Sequence, residues 1–235
     1  MFSSYGLSDV GCVRTNNEDS FLVDPELGLY IVADGMGGAE AGEVASQLAV
    51  QSVRSFLKST SIRDADTLGR AIQHANQRIL DAANADPRLR GMGTTLVCLL
   101  ETGPECIVAN VGDSRAWLLQ GESLVQVTQD QSWVNEVGRP LGIAEENLRV
   151  HPMRHVLTMA LGVGPDVRIQ LVPVELPPGS LVLLSSDGLH GPVPEEEIRE
   201  ILLRPISLED RAHLLIEAAR EAGGPDNITV VLIQH

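Results

Sequence analysis

The stretch Leu29-Tyr30-Ile31-Val32-Ala33-Asp34-Gly35-Met36-Gly37-Gly38 decides how this 235-residue chain is read. Five apolar residues, two of them β-branched, predict a buried strand. It ends on Asp-Gly, and the glycines lead into a helical pattern. An acid at a strand end projects a hard oxygen ligand, and the bare glycine backbone beside it can approach a cation or a phosphate closely. Alone, Asp34-Gly35 reads as an ordinary turn. The same pattern recurs where the apolar run Leu181-Val182-Leu183-Leu184 is followed by Ser185-Ser186-Asp187-Gly188. Two strands ending in one chemistry predict a shared site.

Three more acidic segments extend the pattern: Asn16-Asn17-Glu18-Asp19, Gly112-Asp113-Ser114-Arg115 and Gly224-Pro225-Asp226-Asn227. Carboxylates gathered in a partly dry cleft repel one another unless a divalent ion neutralises them, so such a cluster predicts bound metal.

Working outward, strand-like runs fall at 29–33, 94–101, 106–111, 115–120, 124–128, 167–175, 181–185 and 228–234. Short polar turns such as Thr102-Gly103-Pro104 and Gln120-Gly121-Glu122 favour antiparallel meanders over parallel crossovers. Helical spacing appears over 41–57 and 66–83. A capped helix is expected between Ser207 and Gly223, and a shorter one from Pro194. Strands in one set and helices in another predict an α+β fold in which two sheets pack together with helices outside. With no internal boundary signal, residues 1–235 are expected to form one domain.

The formal net charge is −15, which excludes binding to nucleic-acid phosphates by clustered Lys and Arg. No apolar run approaches a membrane span, and the start lacks a signal-peptide pattern, so a cytoplasmic location with no membrane association is expected. Cys12, Cys98 and Cys106 share no metal-ligand spacing and read as reduced thiols. There is no Gly-x-x-x-x-Gly-Lys-[Ser/Thr] loop for nucleotide-driven transfer.

Taken in order, the motifs resemble those of bacterial protein phosphatase 2C enzymes. They are Ser8-Asp9-Val10-Gly11 with Arg14-Thr15-Asn16-Asn17-Glu18-Asp19, Val32 through Gly38 with Ala41-Gly42-Glu43, Gly91-Met92-Gly93-Thr94-Thr95, and Asn110 through Arg115. His151-Pro152 with Val156-Leu157-Thr158, Leu184 through Leu189, and Gly224 through Val231 complete the series across essentially the whole chain.

The resemblance implies a four-layer αββα sandwich with a metal cluster at one end, and metal-dependent hydrolysis of phosphoserine and phosphothreonine in proteins by a metal-activated water. By motif position, Asp34 would bridge two Mg²⁺ or Mn²⁺ ions, Asp187 and Asp226 would hold one, and Glu18 with the Gly35 carbonyl the other. Asp113 with Asp187 would hold a weaker third ion. Asp19 would orient the attacking water, and Arg14 would clamp phosphate, its alternative being an ion pair with a neighbouring acid. The enzyme would act as a monomer on phosphorylated proteins, opposing a serine/threonine kinase. The competing class is a noncatalytic phosphoprotein-binding module on the same fold, which the presence of every implied acid disfavours.

Three departures stand out. Met36 lies where many eukaryotic members carry histidine, and Ala39 and Gln131 lie where many bacterial relatives do. Histidine-assisted proton transfer is therefore in doubt, and His151 and His155 are more simply read as surface or structural residues. Residues 130–159, poor in strand signals, resemble a mobile flap expected to contact substrate through Trp133 and Arg139.

Overall fold

A computed structural model describes residues 2–37, 41–103 and 105–235; Gly38 and Ala39 of the glycine loop lie outside the described residues. One sheet holds β1 (Ser3–Asp9), β11 (Ile228–Gln234), β10 (Leu181–Ser185), β7 (Arg115–Gln120) and β8 (Ser123–Gln126), in that order. The other holds β2 (Asp19–Asp24), β3 (Leu29–Met36), β5 (Leu96–Glu101), β6 (Cys106–Val111) and β9 (Gln170–Val174), with the two-residue β4 (Gly93–Thr94) paired to β3. Every strand pair is antiparallel.

Side chains alternate across each strand, so one strand feeds two hydrophobic layers. From β3, Leu29, Ile31 and Ala33 pack under α1 (Ala41–Lys58) and α2 (Ala65–Ala85), while Tyr30 and Val32 face the second sheet. From β10, Val182 and Leu184 join that central layer, and Leu181 and Leu183 pack beneath α5 (Glu195–Leu202) and α6 (Leu208–Glu221). The result is the expected αββα sandwich. Each fully buried Leu, Ile or Val adds roughly 1.5–3 kcal/mol of transfer free energy.

The strands at 106–111, 115–120, 181–185 and 228–234 form over those residues. β1 and β2 carried no strong strand signal. The mixed run SSYGLSD of β1 becomes a strand because all seven residues pair with β11. The expected strand 94–101 breaks at Thr95, and β3 runs past Ala33 because β4 supplies partners for Gly35 and Met36. The helix caps are local: Asp64 accepts the Thr67 N–H at 2.7 Å, and Ser207 accepts that of Asp210 at 3.0 Å.

Residues 130–159 are more structured than the sequence suggests. They contain a π-helical turn (Val134–Gly138) and the short α3 (Glu145–Arg149), and Ser132 bridges to Leu157. Trp133 stacks on His151 with ring centroids 4.3 Å apart, which gives that histidine a structural role. No helix among the described residues is long and apolar enough to cross a membrane.

Candidate metal centre and active site

Sheet register brings the acids to one end of the sandwich. Asp19 opens β2 directly opposite Asp34 on β3. Ser185 pairs with both Arg115 and Val230, so Asp113 just before β7, Asp187 just after β10 and Asp226 just before β11 gather at the same end. Asp187 opens the four-residue α4 (Asp187–His190).

Uncharged side chains hold these acids in place. The Asp34 N–H donates to Thr95 Oγ1 at 3.0 Å, and the Asp34 carbonyl accepts from Thr94 Oγ1 and the Thr95 N–H at 2.9 Å each. Thr95 Oγ1 in turn meets Ser114 Oγ at 2.7 Å, which ties β3 to the Asp113 turn. Ser186 Oγ donates to Asp19 Oδ2 at 2.8 Å and accepts from the Thr229 N–H at 3.0 Å. Asn227 is the cross-brace: its Oδ1 accepts from the Glu18 N–H, and its Nδ2 donates to the carbonyls of Val10 and Asn16.

Two glycines set how closely the backbones approach. A Cβ on Gly35 would lie 2.2 Å from the Gly42 carbonyl oxygen, and one on Gly42 would lie 2.3 Å from Glu18 Oε2. The start of α1 therefore sits against the Glu18 carboxylate and the Gly35 backbone. The Gly35 N–H donates to the Glu18 carbonyl at 3.1 Å.

The electrostatics are those of uncompensated acids. Burial pushes the Asp19 carboxyl up to about 7, against hydrogen bonds from Thr229 and Ser186 that lower it, with Asp187 and Asp226 raising it further. Asp34 lies well above the carboxylate range because of burial and then the charges of Asp19, Asp187, Asp113 and Asp226. Asp113 is raised to about 7 by burial and by Asp187 and Asp130, with Arg115 opposing. Asp187 is raised by burial and Asp226, with hydrogen bonding to Asp34 and then His155 and Arg14 opposing. Glu18 is raised chiefly by burial.

Whether these residues fit a metal can be tested on the geometry. Asp19 Oδ1 and Asp187 Oδ1 are buried with no hydrogen-bond partner among the described residues, a costly state that a cation would relieve. The donors are all oxygen, which suits Mg²⁺ or Mn²⁺. Among the described residues, however, no three His, Cys, Asp or Glu side chains are already drawn into a closed metal-holding group. The acids gather at one end of the sandwich without forming a cage among the described residues. The residues fit as converging ligands.

Arg14 is the one site residue with a different partner. Its Nη2 donates to Asp226 Oδ2 at 2.8 Å, the ion pair that was the alternative to a phosphate clamp, while Asp226 Oδ1 accepts from the Asn227 N–H. Sequence reading missed the Thr95–Ser114 link and the role of Gln131. Gln131 holds Gly112 twice, through its N–H to the Gly112 carbonyl and its Oε1 from the Gly112 N–H, each at 2.9 Å. Ordinary polar residues at strand ends give no signal of such long-range pairing.

The fold and its acidic end define a metal-dependent phosphatase of the αββα class. The profile described as protein phosphatase 2C matches residues 13–220, and the chain belongs to that family. It is 40% identical to a serine/threonine phosphatase, stp, of Listeria welshimeri over 97% of this chain and 94% of that one. The crystal structure of the Mycobacterium tuberculosis serine/threonine phosphatase PstP/Ppp superposes with a TM-score of 0.90 at 37% identity, covering 100% of this chain and 99% of that one. The catalytic domain of PstP in complex with two manganese ions matches with a TM-score of 0.89 at 37% identity, covering 99% and 97%.

Proposed function

We propose that this protein is an active protein serine/threonine phosphatase that hydrolyses phosphoserine and phosphothreonine in phosphorylated proteins, opposing a kinase in bacterial signalling. The observation that carries the reading is the convergence of Asp19, Asp34, Asp113, Asp187 and Asp226 at one sheet end, with two orphaned carboxylate oxygens among them. Asp34, Asp187, Asp226, Glu18 and the Gly35 carbonyl are the residues that would hold two Mg²⁺ or Mn²⁺ ions, with Asp113 and Asp187 holding a third. Such ions, when bound, neutralise phosphoryl charge and acidify a shared water.

The chain's own groups do the rest. Asp19 is anchored through Oδ2 by Ser186, leaving its unpartnered Oδ1 to accept a proton from the attacking water and to orient it. Arg14, half exposed, supplies a guanidinium fork for two phosphoryl oxygens. Thr95, Ser114 and Asn227 fix the acids, so little reorganisation is needed as charge develops.

The reading takes residues 1–235 as a single catalytic domain acting as a cytoplasmic monomer, where kinases and their phosphoproteins meet. The test is phosphate release from a phosphothreonine peptide and from an aryl phosphate, with Mn²⁺, with Mg²⁺ and with chelator. Release that needs either ion is expected. Undiminished turnover by rigorously metal-free protein, or none on the peptide with metal supplied, would overturn the reading.

A further inference from the structure

We propose that the open edge of β2 is a docking strand for the extended polypeptide segment flanking the phosphorylated residue of a substrate. The inference rests on the phosphatase reading for the identity of its ligand. β2 ends its sheet, with β3 as its only strand partner there among the described residues. Asp19 faces Asp34 in register, and the Glu18 carbonyl accepts the Gly35 N–H. In an antiparallel ladder, this makes Asp19, Phe21 and Val23 the positions whose N–H and C=O turn away from β3. The Asp19 N–H is taken by Asn17 Oδ1 at 3.1 Å. The backbone groups of Phe21 and Val23 are left as two donor–acceptor pairs on an open edge, the arrangement that strand addition uses.

A groove of about 500 Å³ runs along this edge, from Asp19 at the catalytic end to Arg54 on α1. Leu22 and Val50 give it an apolar floor, and Glu43, Gln47 and Gln51 line its helical side, with the acid in the first turn of α1. The Gln51 side chain is exposed and makes no hydrogen bond among the described residues. Among the described residues the Arg54 guanidinium donates only through Nε, to Asp24 Oδ2 at 2.7 Å, which leaves both Nη groups for a ligand. At about 3.3 Å per residue, the span from Asp19 to Asp24 accommodates roughly four or five residues of an extended peptide. The occupant that fits is thus an extended segment whose side chains alternate between the floor and solvent, with an acidic residue four or five positions from the phosphoresidue. Main-chain pairing gives affinity without demanding a sequence, and Arg54 gives the preference.

The experiment uses hydrolysis-resistant phosphonate analogues of phosphothreonine peptides bound to the intact protein in Mn²⁺. One is a three-residue peptide. Two others extend it by six residues on either side, with Glu at the fourth and fifth positions. Affinity is read by fluorescence anisotropy, and backbone protection by amide exchange. One extended peptide should bind at least tenfold tighter than the short one and slow exchange at Phe21 and Val23, and backbone N-methylation of its paired residues should remove the gain. Gln51→Glu and Arg54→Gln should each weaken the extended peptide several-fold and leave the short peptide and aryl phosphate turnover unchanged; that turnover also reports correct folding. Equal affinities, or tighter binding with no protection at Phe21 and Val23, would overturn the proposal. Protection at this edge in a protein that releases no phosphate would keep the docking strand and remove the catalytic reading. Phosphate release without protection would remove the docking strand alone.

Discussion

The guanidinium of Arg14 lies 2.8 Å from Oδ2 of Asp226, so the candidate phosphate clamp is seated on one of the acids expected to hold metal. The pair is substantially exposed, with 54% of the Arg14 side chain accessible, and such pairs contribute little to stability. Phosphate offers Arg14 a stronger, bidentate partner. Arg14→Ala should raise KM for an aryl phosphate by about tenfold or more, the loss expected when hydrogen bonds to a charged group are removed, with Mn²⁺ affinity no weaker than before. An unchanged KM would return Arg14 to a structural ion pair.

Asp34 and Asp187 are expected to be the least replaceable acids. Asp34→Ala or Asp187→Ala should cost at least about 10³-fold in kcat/KM, because each loses a group aimed at transition-state charge. Asp34→Asn should also raise the Tm of metal-free protein at pH 8, since it removes a carboxyl whose ionised form burial and four neighbouring aspartates disfavour. Near-normal turnover in either alanine variant would show the cluster to be wrongly assigned.

Asp113 sits on a turn held from three sides by Thr95 with Ser114, by Gln131, and by the Arg115–Asp130 pair. Asp113→Ala should therefore leave the turn in place and lower kcat by roughly ten- to a hundredfold, while calorimetry still detects two bound Mn²⁺ ions. Loss of all metal binding would contradict its place at a weaker third site.

The raised acids also set a pH dependence. In the folded protein Asp19 and Asp113 keep their protons until about pH 7, whereas an unfolded Asp ionises near 3.9. A group with a raised folded pKa leaves stability intact below its unfolded pKa and withdraws it as pH rises through the folded value. With chelator present, Tm should fall by roughly 5–10 °C between pH 5 and pH 8, from a few kcal/mol of lost stability. Added Mn²⁺ should restore more at pH 8 than at pH 5, and Asp34→Asn should flatten the slope. A Tm that rises over this range in metal-free protein would exclude repulsion as the dominant effect.

The flap separates recognition from support. Asp130 and Gln131 brace the Asp113 turn, whereas Trp133, Arg139 and Glu145 pair among the flap's own residues or with His151. Exchanging residues 133–148 for those of a related phosphatase should change kcat/KM among phosphopeptides by about tenfold or more and largely preserve aryl phosphate hydrolysis. Equal losses on both substrates would make the segment a support for the metal site.

The sequence by itself determined the layers and the chemistry. Runs such as 106–111 and 181–185 are largely apolar on both faces and read as strands buried on both sides, and helical spacing over 41–57 and 66–83 required a covering layer. The acids beside glycine marked the candidate ligands, because that pairing reflects local backbone geometry. Tertiary structure alone decided what depends on partners distant in the chain. β1 and β2 are strands because β11 and β3 pair with them, not through any propensity of SSYGLSD. Asp34 lies inside a strand because β4 extends it. The proton affinities of Asp19 and Asp113, the seat of Arg14 on Asp226, the brace through Asn227 and the open edge of β2 arise from residues up to 217 positions apart. Electrostatic coupling and desolvation depend on distance in space, and that distance is fixed only when the two sheets close on each other.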